Sequence, residues 1–149
     1  MANQTTIHLT GHKRRKVVKV FGNLTDYYNE LSVYYKLKSL SHMDKWKINI
    51  CDIISTDDEL NEITYNYGGS EVIYHNINKE LKDNYKINLN KFEDVCIYLQ
   101  LLPKEFNTLI NEFSRKFYFT DFEKFHFVDN IDRIKKYFNE HRETQGIKV

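Results

Sequence analysis

The apolar residues of this chain change their spacing once, near residue 55, and that change limits the folds open to it. Upstream they alternate. Val17, Val18 and Val20 dominate "KVVKVF", and Leu31, Val33, Tyr35 and Leu37 alternate with Ser32, Tyr34, Lys36 and Lys38. A period of two describes a strand with one buried face. The stretch "WKINICDII" repeats the pattern through Trp46, Ile48, Ile50 and Asp52, then runs apolar at Ile53 and Ile54. "TTIHLT" adds an edge strand, and Gly22, Asn23 and Asp26 supply a turn between the first two strong strands.

Downstream the period is that of a helix. Thr56 with Glu59 forms a capping-box pattern ahead of Leu60, Ile63 and Tyr67, and Gly68 and Gly69 are expected to stop that helix. Ser70 is expected to cap a second helix carrying Ile73, Ile77 and Leu81, followed by "DNYKINLN" as a loop or short strand. Asn90 with Glu93 opens a helix whose Phe92, Val95, Cys96, Leu99 and Leu102 form one stripe. Pro103 suits the first position of a further helix bearing Phe106, Leu109, Ile110, Phe113 and Phe117. Thr120 with Glu123 repeats the cap pattern. Asp129 precedes a final helix with Ile131, Ile134, Tyr137 and Phe138, and the tail from Glu143 is expected to fray. These readings add up to an α+β fold: a small N-terminal antiparallel sheet of three to four strands, then a compact helical half. The sheet with its basic arm occupies 1–55 and the helices 56–149, packed as one continuous unit.

A chain of 149 residues with 41% hydrophobic and 29% charged residues has the size of one typical domain, or of two very small ones, and the composition of a folded protein. No window approaches the roughly 18 apolar residues of a membrane span, and no apolar run follows the N-terminal basic residues as a secretory signal would. Cys51 and Cys96 lack neighbouring cysteines that would make a zinc knuckle, so both are expected to be buried reduced thiols in a cytoplasmic protein. The chain has 17 Lys, 15 Asn and 14 Ile but a single Ala. AT-rich codons give that skew, which points to a low-GC bacterium or its phages and mobile elements. The net charge of +1 conceals a split: residues 1–50 carry 9 basic against 3 acidic side chains, and 51–149 carry 13 against 18. Such asymmetry suits an electrostatic partner as well as a solvated, dipolar domain.

The usual catalytic constellations are missing. His8 and His12 stand four apart, but within "TIHLTGH", which reads as strand and turn, and without the glutamate of a helical zinc motif. The "HLT" at 8–10 has no second copy, because His126 is followed by Phe127 and Val128. His42, His75 and His141 stand apart among polar neighbours and read as ordinary surface side chains. Phosphate-loop, dinucleotide and nucleophile-elbow motifs are absent, and the acidic pairs 57–58 and 93–94 sit at expected helix starts, where the macrodipole favours them. No catalytic residue, metal or cofactor is expected. Lys13, Arg14, Arg15, Lys16 and Lys19 form the strongest nucleic-acid signal, with Tyr27, Tyr28, Tyr34 and Tyr35 nearby as stacking faces. A charged arm before a strand also discourages edge pairing without any ligand.

Three segments carry a family resemblance. "VFGNLTDYYNELSVYYKL" resembles the opening of ArdA-type antirestriction proteins, a strand, a Gly-Asn-Leu-like turn, a Tyr-Asn pair and a second strand, through Gly22, Asn23, Leu24, Tyr28, Asn29 and Leu31. "DKWKINICDI" is similar to the family's Trp-containing strand through Trp46, Ile48 and Asp52, and "YLQLLPKEF" to its helix, Leu-Pro break and new helix through Leu102, Pro103 and Glu105. The resemblance implies a counter-defence setting: family members are acidic dimers that mimic bent DNA in the groove of type I restriction enzymes. This chain departs by its near-neutral charge and by Glu30 where the family has glycine after Tyr-Asn.

The resulting expectation is a non-enzymatic inhibitor from a phage or mobile element, acting in the cytoplasm of the bacterial host. It would bind a defence nuclease, a type I restriction complex or a CRISPR effector, at its nucleic-acid-binding surface. Asp52, Asp57, Asp58, Glu59 and Glu62 would contact the target's basic groove, and the Lys13, Arg14, Arg15, Lys16 and Lys19 patch would touch bound guide or DNA. A second copy of the chain is a further expected partner; a membrane is not. The alternatives are a small nucleic-acid-binding accessory protein using the basic sheet, and a structural or assembly subunit.

Overall fold

The computed structural model describes residues 6–10 and 16–148; within the first of these strands only the Ile7 side chain is described. The α+β class holds, with a small antiparallel sheet near the N-terminus and helices after it. That sheet has the order β1-β2-β4-β3, from β1 (Thr6–Thr10), β2 (Lys16–Val20), β3 (Ile53–Asp57) and β4 (Glu62–Asn66). Val17 stands opposite Tyr65 and Lys19 opposite Ile63, so Val17, Lys19, Ile63 and Tyr65 share the covered face. Residue 55 lies inside β3, and the sheet takes β4 from beyond it.

Between β2 and β3 comes α1 (Leu24–Leu40), where the alternation predicts a strand. Asn23 caps it, its side chain accepting the Asp26 amide at 2.8 Å. The buried residues Tyr27, Glu30, Val33, Tyr34 and Leu37 recur at helical spacing, while Tyr35 is exposed. Val33 and Leu37 fit either period; Glu30, a carboxylate on the covered face, hid the helical one. The helix runs beside β3. The Tyr27 hydroxyl donates to Asp58 at 2.5 Å, the Ile53 amide donates to the Tyr34 hydroxyl at 3.0 Å, and Lys38 pairs with Asp52.

Other expectations are corrected in the same way. Trp46 closes a 3-10 turn (Asp44–Trp46) in place of a strand, its ring tilted against that of Tyr98. Thr56 caps no helix: it pairs with Ile63 across the β3–β4 hairpin, whose turn passes through Asn61 in the left-handed region at φ 51°. Gly69, with φ 128°, lies so close to the Ile110 carbonyl that a Cβ would sit 2.0 Å from its oxygen. Its role is close approach to a neighbouring strand and not helix termination. Ser70 begins β5 (Ser70–Glu71), and a 3-10 turn (Tyr74–Asn76) takes the place of the second helix.

The segment "DNYKINLN" is helical, inside α2 (Lys79–Leu99), whose N-cap is Asn78; Asn90 is mid-helix and exposed. Leu101–Leu102 form β6, and Pro103 leads to β7 (Asn107–Ile110) and β8 (Phe117–Thr120) in place of the expected helix. Phe113, at the turn between them, is 86% exposed. Glu123 lies outside any helix, β9 (His126–Phe127) pairs with β6, and β5-β7-β8 form a second sheet. The last helix, α3 (Ile131–Thr144), matches expectation, capped by Asn130. The tail folds back after it: the Ile147 amide donates to the Arg142 carbonyl at 2.8 Å and its side chain is buried.

One aromatic core holds these parts together. Phe92 of α2 stacks on Phe119 of β8 at 4.2 Å between ring centres and meets Phe106 and Phe138 edge-on. The segment leading into β3 runs beside β8, where the Phe119 amide donates to the Asn49 carbonyl at 3.0 Å.

Candidate functional site: an acidic hairpin and a charged cavity

The β3–β4 hairpin collects most of the acidic candidates. Asp57, Asp58 and Glu59 are exposed at its turn, and Glu62 opens β4 directly opposite Asp57. The turn forms because Asp57 Oδ1 accepts the amides of Glu59 and Leu60, at 3.0 and 3.2 Å, fixing the chain reversal from its first residue. Asp58 is held by the Tyr27 hydroxyl. Asp52 lies at the far end of β3, paired with Lys38, so it stands apart from the other four. Like charges directly opposite each other on a sheet are destabilising, and Asp57 and Glu62 are so placed. Ile54 and Leu60 add exposed apolar surface, and β3 is an edge strand with β4 on one side.

The basic candidates do not form a patch among the described residues. Lys13, Arg14 and Arg15, with His12, lie outside them, and Lys16 is exposed at the start of β2. Lys19 is a correction: it is 3% exposed and unavailable as a surface contact for nucleic acid. Its ammonium lies 2.9 Å from Asp121, 3.2 Å from Glu123 and 3.5 Å from Glu30, and over the Phe21 ring. Three carboxyl groups around one ammonium explain why a lysine tolerates the covered face.

Glu30 organises this cluster from α1. It accepts from the Tyr65 hydroxyl, from the Phe122 amide at 2.8 Å and from Lys19. Burial holds the Glu30 carboxyl above its ordinary value, against the opposing pull of Lys19 and Tyr65. Burial lowers the Lys19 ammonium, but Glu30, Asp121 and Glu123 together outweigh it and hold the group well above the usual lysine range. Lys19, Glu30 and Asp121 of this cluster line a cavity of about 300 Å³ between the two sheets, together with Ile7, Val17, Leu109 and Phe119. Cys51 also lines it, its thiol pushed up to about 12 by burial and by Asp52.

These pKa directions limit the chemistry. A thiol held protonated is a poor nucleophile, and an ammonium stabilised by carboxylates is neither base nor imine-forming amine at neutral pH. Cys96 is fully buried with its thiol raised by burial. Among the described residues no group of three or more His, Cys, Asp or Glu is placed to hold a metal ion.

The sequence reading missed Glu30, Asp121 and the cavity. A signal was present: Lys19 shares the covered face with Val17, and Glu30 falls between Tyr27 and Val33 on the buried stripe of α1. Charged residues at such positions mark buried pairs. No protein-family model matches this chain, and no curated protein matches it.

Proposed function

We propose that the protein is a non-enzymatic counter-defence inhibitor that binds a bacterial defence nuclease at its nucleic-acid-binding surface, with the β3–β4 hairpin as its acidic contact. The observation that carries this reading is the gathering of Asp57, Asp58, Glu59 and Glu62 at one exposed hairpin, two of them opposed across the strands. A surface that keeps like charges together at a cost in stability gains from a cationic partner. A groove built from Lys and Arg to hold phosphates offers charge-assisted hydrogen bonds to carboxylates, and the attraction speeds encounter. Leu60 and Ile54 supply apolar contact beside them. The resemblance to antirestriction proteins supports the same setting. Burial of Lys19 removes one cation from the competing reading, a nucleic-acid binder using the basic sheet.

The test is phage plating on strains that differ only in a type I restriction system or a CRISPR nuclease, with and without this gene. Rescue is expected on one strain and is expected to fail for Glu59→Lys/Glu62→Lys, a variant that leaves the turn-forming Asp57 in place and should keep the native circular dichroism. Equal plating on all strains would sink the reading for those systems. Tight, steeply salt-dependent binding to bare DNA or RNA would favour the nucleic-acid binder instead.

A further inference from the structure

The cavity between the two sheets has apolar walls and an acidic lining. Among the described residues its charged side chains are Lys19 against Glu30, Glu71 and Asp121. Counted over these, carboxyl groups outnumber the single ammonium even with the proton on Glu30 that burial favours. We propose that this cavity binds a small organic cation, an alkylammonium or alkylguanidinium whose apolar body lies against Val17, Leu109 and Phe119 and whose charged head meets Asp121.

At about 300 Å³ the space falls at the small end of ligand pockets, and its make-up is typical of them: apolar walls with a few convergent polar groups. Asp121 can take a further donor. Its Oδ1 accepts from Lys19 and its Oδ2 from Asn107 at 2.6 Å, yet each carboxylate oxygen has a second lone pair, and the side chain is 18% exposed. Lys19 offers no corresponding site for an anion, because carboxylates surround it. The walls decide between cations. A hard metal ion takes six to eight oxygen ligands, and aliphatic and aromatic carbons cannot supply them. An organic cation uses both features at once, since removing its apolar body from water adds to the ionic contact in a partly desolvated site.

The test is an NMR titration of the full chain with n-butylguanidinium, its neutral counterpart n-butylurea, and pentanoate. Saturable shifts are expected at the Gly68, Gly69, Leu109 and Phe119 amides with butylguanidinium, with at least tenfold weaker binding of the neutral and anionic probes. Asp121→Asn should weaken binding at least tenfold. Leu109→Trp, which keeps every charge and fills the cavity, should abolish it while the rest of the spectrum persists, and it decides the matter if Asp121→Asn does not fold. Equal binding of butylurea, or shifts confined to the acidic hairpin, would overturn the proposal. So would the absence of saturable binding. Binding of a capped Gly-Arg-Gly peptide without binding of butylguanidinium would overturn the small-molecule reading in favour of a partner's arginine. None of these outcomes depends on the phage assay.

Discussion

Glu30 joins α1, β2, β4 and the segment after β8 through a single carboxyl group, and its protonation should be visible in stability. Burial raises its folded-state value above the ordinary 4.5, so between the two values the folded chain holds a proton that the unfolded chain releases. Stability attributable to this group is therefore greatest in acid and falls as pH climbs from 4.5 through the folded value. Glu30→Gln removes the titration. Urea unfolding from pH 4 to 8 should show the wild type losing stability relative to the variant as pH rises; parallel profiles would contradict the buried placement.

At the scale of elements, caps and register set the boundaries. Asn78 starts α2 because its side chain accepts the Leu81 amide at 2.9 Å, satisfying a donor that the first turn leaves without a partner. Replacing it with Ala should cost about 1 kcal/mol in denaturant unfolding, whereas Asn90→Ala, which loses a solvent-exposed bond from Arg142 but gains helix propensity at a mid-helix position, should change stability by no more than about 0.5 kcal/mol. That contrast tests the helix directly, since a helix opening at Asn90 would reverse it. Element type was legible where apolar residues fit one period only, as in Ile134, Tyr137 and Phe138 of α3 or Phe92, Val95 and Cys96 of α2. It was misread where they fit two. Ile63 and Tyr65 alternate as β4 requires, yet Leu60, Ile63 and Tyr67 also recur at helical spacing. Pairing with β2 selects the strand.

The whole molecule is organised around Phe92, which touches rings from β8, α3 and the segment before β7. Phe92→Ala should cost about 3–5 kcal/mol. Because the aromatic core runs on into the N-terminal sheet through Phe119, Ile50 and Tyr65, the loss should lower one shared transition. Far-UV and near-UV signals should fall together in denaturant. Separate transitions would mean that the sheet and the helical part unfold as independent units.

By itself the sequence determined the α+β class, the strand β2, the buried stripe of α2, the helix α3 and the acidity of 57–62, because each rests on local periodicity or on residue type. Only the tertiary structure decided that 24–40 is a helix, that Thr56 belongs to a hairpin, and that Lys19 is buried. The physical reason is distance along the chain. Lys19 and Asp121 are 102 residues apart, and Glu30 and the Phe122 amide 92. A charge whose compensation comes from so far away reads locally as surface, and a tyrosine that fits two periods takes the one that its distant neighbours bury.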